Sequence, residues 1–131
     1  MSRKRIFISY DYDNDRVYKN MLLAWNSNTE FDFEFYDGSL RVAINSENAS
    51  YVRGQIRPLI LKSTHLLCVV GQEGATNEWI NWEVQTAVDA AKKLIGVKLG
   101  VYRSPPSLLR NKTSWATSFN FEAIKRAVNT M

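Results

Sequence analysis

In the segment Trp79-Ile80-Asn81-Trp82-Glu83, a tryptophan and a glutamate stand four residues apart, which on a helix puts both side chains on one face, a turn apart. A carboxylate held beside aromatic rings can steady a positive charge that develops on a bound molecule, while the rings stack against planar groups. Ile80, Val84 and Ala87 repeat at helical spacing through the same stretch. Glu83 falls about 60° from Ile80 at 100° per residue, on the margin of that apolar stripe, where it can lean over the end of a sheet. The pattern also serves as an ordinary core edge beside a solvated face, so spacing alone does not assign a role.

Other chemistries lack their residues. The chain has one histidine, His65, and one cysteine, Cys68, so neither a zinc ligand set nor a supported Cys-His pair can be assembled from local motifs, and no metal site is expected. Cys68 lies in the apolar run Leu66-Leu67-Cys68-Val69-Val70 and reads as a buried core thiol. Asp11, Asp13 and Asp15 imitate the start of a calcium loop, but Arg16 stands where the turn needs glycine and Leu22 where the bidentate glutamate belongs. The turn Ser9-Tyr10-Asp11-Tyr12-Asp13 holds no glycine for a dinucleotide fingerprint, and no Gly-Lys-Ser or Gly-Lys-Thr is present for a P-loop. A response regulator would need an acceptor aspartate where this chain has Val70-Gly71-Gln72.

The elements that must position Glu83 alternate between strand and helix. Arg5-Ile6-Phe7-Ile8-Ser9-Tyr10 reads as a first strand, ending in a polar loop with caps at Asp13 or Asn14. A helix follows with Val17, Met21, Ala24 and Trp25 as its apolar stripe. Residues 31 to 36 alternate Phe31, Phe33 and Phe35 with Asp32, Glu34 and Tyr36, as in an edge strand with one exposed face. After a polar loop, Val52, Ile56, Leu59 and Ile60 mark a second helix that Pro58 is expected to kink or divide. Residues 66 to 70 form the central strand, Asn77 caps the helix of Ile80, Val84, Ala87 and Ala91, and residues 94 to 99 form a further strand. Residues 100 to 118 give only a loop and a weak strand near Trp115, before a closing helix at Phe121, Ile124, Ala127 and Val128.

At 131 residues this is one domain, residues 1 to 131, with an ordinary globular composition of 45% hydrophobic and 23% charged residues. The net charge of +4 is scattered, with one short run at Arg3-Lys4-Arg5, so a nucleic-acid role carries little weight. No signal peptide or membrane-spanning stretch is legible, which leaves the cytoplasm as the expected compartment. Alternating elements imply an α/β fold with a mostly parallel central sheet, whose ligands bind outside the carboxyl ends of the strands. That confines candidate binding residues to three loops, following the first, second and central strands.

The start Phe7-Ile8-Ser9-Tyr10, the apolar strand ending at Gly71, and Trp79 and Glu83 followed by Ile95-Gly96-Val97 resemble the TIR-like proteins of the bacterial Thoeris antiphage system over about residues 4 to 99. The resemblance implies a flavodoxin-like three-layer fold and an enzyme acting on N-glycosyl bonds. NAD would be its substrate rather than a cofactor, with Glu83 essential for cleaving nicotinamide from ribose. It also implies a signalling nucleotide made after phage detection, which activates a separate effector protein. Departing nicotinamide leaves oxocarbenium character on the ribose, which a preorganised carboxylate stabilises, and no acid is needed because nicotinamide leaves neutral. Around Glu83, Ser9 is placed to bond the nucleotide, and Tyr10, Trp79 or Trp82 to stack on a ring. Asp37, Ser39 and Arg41 line the opposite wall, Arg41 as a candidate for the diphosphate.

The polar run from 45 to 50 departs from eukaryotic signalling TIR domains, which carry a proline-bearing motif there, and speaks against a Toll-type adaptor interface. No appended sensor domain is legible, so sensing would involve the domain itself, a homo-oligomer or a phage-derived trigger. Hydrolysis and cyclisation both stay open. So do a non-catalytic assembly module on the same fold and an enzyme like the nucleoside deoxyribosyltransferases.

Overall fold

The computed structural model describes residues 4 to 27, 33 to 36, 47 to 72, 76 to 100, 104 to 110 and 113 to 130. Five strands, β1 (Lys4–Ser9), β2 (Phe33–Tyr36), β3 (His65–Val70), β4 (Lys93–Lys98) and β5 (Thr113–Ala116), form one sheet in the order β2-β1-β3-β4-β5. Every pairing is parallel. Among the described residues four α-helices, α1 (Arg16–Ala24), α2 (Ala49–Lys62), α3 (Glu78–Asp89) and α4 (Phe121–Thr130), cover it. The three-layer α/β fold and the edge position of β2 agree with the sequence reading. No helix among the described residues is long and apolar enough to cross a membrane.

Strand side chains alternate between two cores, as the two-residue period of a strand requires. On one face Ile6, Ile8, Leu67, Val69, Ile95 and Val97 meet Leu22 of α1 and Ile124 and Val128 of α4. On the other, Phe7, Leu66, Cys68 and Val70 meet Val52, Ile56 and Ile60 of α2 and Ile80, Val84 and Ala87 of α3. Because both faces are covered, all six residues of β3 are buried, which is why its sequence is a continuous apolar run instead of an alternation.

Four local expectations are corrected. Helix α1 is present, but Val17 and Met21 are 59% and 42% exposed while Leu22 is fully buried and Tyr18 half-buried. Tyr18 and Leu22 offer a bulkier stripe one residue away that leads to the same Trp25, which packs on the core as expected, and burying it removes more apolar area from water. The cap of α1 is Asp15 rather than Asp13 or Asn14. Asp11 instead braces the loop, its carboxylate accepting from the amides of Asp13 and Asn14. Helix α2 runs unbroken through Pro58. Gly54 and Pro58 are both exposed, so the Gly54 carbonyl, which loses its amide partner to the proline ring, faces water.

Ala91, expected on the stripe of α3, lies beyond its end with φ of 58°. The amides of Lys92 and Ala91 bond the carbonyls of Ala87 at 2.9 Å and Val88 at 3.0 Å. Those two bonds close α3 in a Schellman turn, whose left-handed position usually belongs to glycine. At the other end Asn77 caps α3 as expected, its Oδ1 accepting from the Ile80 amide at 3.0 Å. Both ends of the helix that carries Glu83 are thus fixed.

Candidate active site

Ser9 is the last residue of β1 and pairs in register with Cys68 of β3. Its side chain points to the α3 side, where the Ser9 hydroxyl donates to Oε1 of Glu83 at 2.9 Å. Both residues are fully buried. Glu83 is brought there by the length and phase of α3: Ile80, Val84 and Ala87 pack into the sheet, and Glu83 shares enough of that face to meet the strand ends.

Cys68 borders the same position. Burial, and after it the negative charge of Glu83, push its thiol pKa well up, so the sulfur stays protonated and is not an activated nucleophile. Among the described residues the arrangement offers the Glu83 carboxylate as an acceptor, oriented by the Ser9 hydroxyl and bordered by a neutral thiol. In a medium of low dielectric such a group acts strongly on a nearby cation.

The other candidate residues spread out around this pair. Trp79 is buried and meets Trp82 edge to face, with ring centroids 5.8 Å apart. Trp82 is half-buried and turns toward α2, where the Arg57 guanidinium carbon lies 5.5 Å from its ring centre. It lines a groove of about 350 Å³ between α2 and α3 with Arg57, Leu61 and Asp89 among its neighbours. Tyr10 is fully buried in the core on the α1 and α4 side of the sheet. Its ring has no open face, so stacking on a ligand is not available to it in this conformation. Asp37, Ser39 and Arg41 lie outside the described residues.

Two residues escaped the sequence reading. Trp115 and Lys98 line a cavity of about 580 Å³ at the ends of β4 and β5. One signal pointed there: Gly96 interrupts an apolar strand, and an isolated glycine in a strand marks a close approach by another group.

The comparisons with known proteins bear on fold and family. The sequence profile described as Thoeris protein ThsB, TIR-like domain, matches residues 7 to 103. A search of curated proteins gives no match. Among solved structures, a 2-deoxyribosyltransferase from Bacillus psychrosaccharolyticus superposes with a TM-score of 0.63 at 11% identity, over 88% of each chain. A 2-deoxyribosyltransferase from Leishmania mexicana gives 0.57 at 15% identity, over 93% of this chain and 81% of that one. A 3-dehydroquinate dehydratase-like protein from Bifidobacterium longum gives 0.50 at 9% identity, over 99% and 94%. At such identities the likeness is one of fold.

Proposed function

The chain belongs to the Thoeris ThsB TIR-like domain family, and from that premise we propose that it serves antiphage defence by cleaving the N-glycosidic bond of NAD, with Glu83 as catalytic carboxylate. The observation that carries this reading is the buried bond from Ser9 to Glu83 at the carboxyl ends of the strands, the place where open α/β sheets receive ligands.

In the reaction the bond between ribose C1′ and the pyridinium nitrogen breaks, and its electron pair leaves with nicotinamide, which departs neutral. The charge left on the ribose is an oxocarbenium, stabilised by the Glu83 carboxylate. Ser9 is a positioning residue, because its hydroxyl holds Oε1 of the carboxylate at 2.9 Å and so fixes its orientation toward the strand ends. Water would then give hydrolysis with release of a proton, and a nucleophilic nitrogen of the same molecule would give a cyclic nucleotide able to signal to a separate effector.

Glu83 has no exposed surface, so a sugar reaches it only after the covering residues part. Uncovering of the carboxylate by self-association or by a phage-derived trigger is the point of control this reading places in the enzyme. The test is nicotinamide release from NAD by the purified protein, with and without lysate of infected cells, together with mass spectrometry of the nucleotides formed. Release that requires Glu83 supports the reading, and equal release by Glu83→Gln overturns it.

The same full burial, together with the exposed Val17 and Met21 of α1, favours a second reading as a non-catalytic assembly module. Retention of defence by Glu83→Gln, with loss on replacing Val17 and Met21 by serine, would select that reading. A deoxyribosyltransferase activity is separated from both by supplying deoxynucleosides and measuring base exchange.

A further inference from the structure

Ser9, Cys68, Gly96 and Trp115 occupy one register row across β1, β3, β4 and β5. At Gly96 the row has no side chain, and the Trp115 indole fills the space: a Cβ on Gly96 would lie 2.5 Å from its Cζ3. The indole therefore rests against the β4 backbone. Trp115 also forms part of the wall of the cavity of about 580 Å³ beyond the ends of β4 and β5. Along this row Gly96 lies two strand spacings from Ser9, about 10 Å, and Trp115 lies three, about 14 Å, so the cavity is a different place from the Ser9–Glu83 pair.

The lining has a defined chemistry. Trp115 lines it from the α2–α3 side of the strand ends and Tyr18 and Phe119 from the α1–α4 side, the latter two in edge-to-face contact at 5.0 Å between centroids. Lys98 carries the sole charge among the described lining residues, and its ammonium lies 5.5 Å from the centre of the Trp115 ring. Thr117 and Ser118 add hydroxyls. The Ser118 oxygen accepts from the Asn120 side chain at 2.6 Å, which leaves its own proton to donate outward.

We propose that this cavity binds a nucleoside monophosphate, the base packing on Trp115 and the phosphate meeting Lys98, Thr117 and Ser118. A planar ring matches the aromatic surface. One ammonium and two hydroxyls match the several terminal oxygens of a phosphate better than the two of a carboxylate. The volume lies within the roughly 300–1,000 Å³ of small-molecule sites, and the position beyond strand carboxyl ends is where this class of sheet holds ligands. The proposal rests on this lining and not on the chemistry assigned to Glu83.

The test is titration of the protein with adenosine monophosphate, adenosine and inorganic phosphate, followed by calorimetry and by the indole NH signals in proton-nitrogen spectra. The monophosphate is expected to saturate one site and shift the Trp115 signal, assigned with Trp115→Phe, while adenosine and phosphate each bind at least about tenfold more weakly. Lys98→Ala, a change at an exposed position, is expected to weaken the monophosphate about tenfold and leave adenosine unchanged. Glu83→Gln is expected to bind the monophosphate as the wild type does. No saturable binding at millimolar monophosphate overturns the proposal. So does binding that survives Lys98→Ala unchanged, or that is lost in Glu83→Gln, which would place the nucleotide in the β1–β3 crevice. Binding with the expected pattern stands whether or not NAD is cleaved.

Discussion

Ser9 and Glu83, 74 residues apart in the chain, meet through a 2.9 Å hydrogen bond that ties the end of the first strand to the middle of α3. Both are sealed from solvent, so each variant of the pair has a structural as well as a functional consequence, and the two can be separated. Ser9→Ala removes the donor and leaves a buried acceptor one partner poorer, for an expected loss of about 1–3 kcal/mol. Glu83→Gln keeps shape and an acceptor oxygen and is expected to lose less than about 1.5 kcal/mol, while its catalytic effect should reach about 10²-fold or more in NAD cleavage. Urea denaturation of both single variants and the double variant gives the coupling, expected near 1 kcal/mol. A coupling of zero would mean that the bond contributes nothing net.

Gly54 and Ala91 carry the wrong residues for their backbones, in opposite senses. A Cβ on Gly54 would meet nothing within 4 Å, and the residue lies inside α2. Gly54→Ala should therefore stabilise by about 0.5–1 kcal/mol by restricting the unfolded chain. Ala91 has φ of 58° in the turn that ends α3, and Ala91→Gly relieves a left-handed strain of about 1 kcal/mol. Both variants are expected to raise the urea midpoint with the slope unchanged, and a fall in either would show that the local backbone differs from the one described.

Gly96→Ala works the other way. The added methyl would sit 2.5 to 2.9 Å from three carbons of the Trp115 indole, so either the ring or the β4–β5 pairing must shift. Such overpacking costs about 1–3 kcal/mol. The same displacement should move the Trp115 indole NH signal, whereas Gly54→Ala should not. An unmoved signal together with unchanged stability would show that the indole does not rest on Gly96.

The layers of the fold were legible because burial leaves a direct trace in residue type. The run of residues 66 to 70, short, apolar on both faces and closed by Gly71, reads as an interior strand of a parallel sheet, and Asn77 announces α3 one residue before it starts. Helix α1 was legible as a helix but not in its rotation, since the stripe Val17, Met21 and Ala24 and the stripe Tyr18 and Leu22 have the same period and both run into Trp25. Only the sheet decides between them. β5 was faint because Thr113 and Ser114 lie on an edge strand whose side chains are half-buried. In the site, the helical phase of Glu83 pointed it at the strand ends, but its partner did not follow from α3 alone. The bond to Ser9 depends on the β1–β3 register, which sequence spacing does not contain.

His65 opens β3 and is buried. Its Nδ1 lies 2.7 Å from the Thr64 hydroxyl, and its Nε2 has no hydrogen-bond partner. Burial first, then the positive charges of Lys93 and Lys4, lower its pKa from 6.5 to about 4. The folded chain thus refuses a proton that the unfolded chain accepts between these two values. Unfolding takes up protons in that window, so stability falls as pH drops from about 6.5 toward 4 and is flat in this contribution above 6.5. The slope from this one group cannot exceed about 1.4 kcal/mol per pH unit. Carboxylates titrate in the lower part of the same range, so the measurement is a difference: urea midpoints of wild type and His65→Leu from pH 7.5 to 4.5. The variant also removes an unsatisfied buried nitrogen, so it should match or exceed the wild type at pH 5 and lose less on acidification. An imidazole titration by NMR with its midpoint at or above 6.5 in the folded protein would remove the basis for this behaviour.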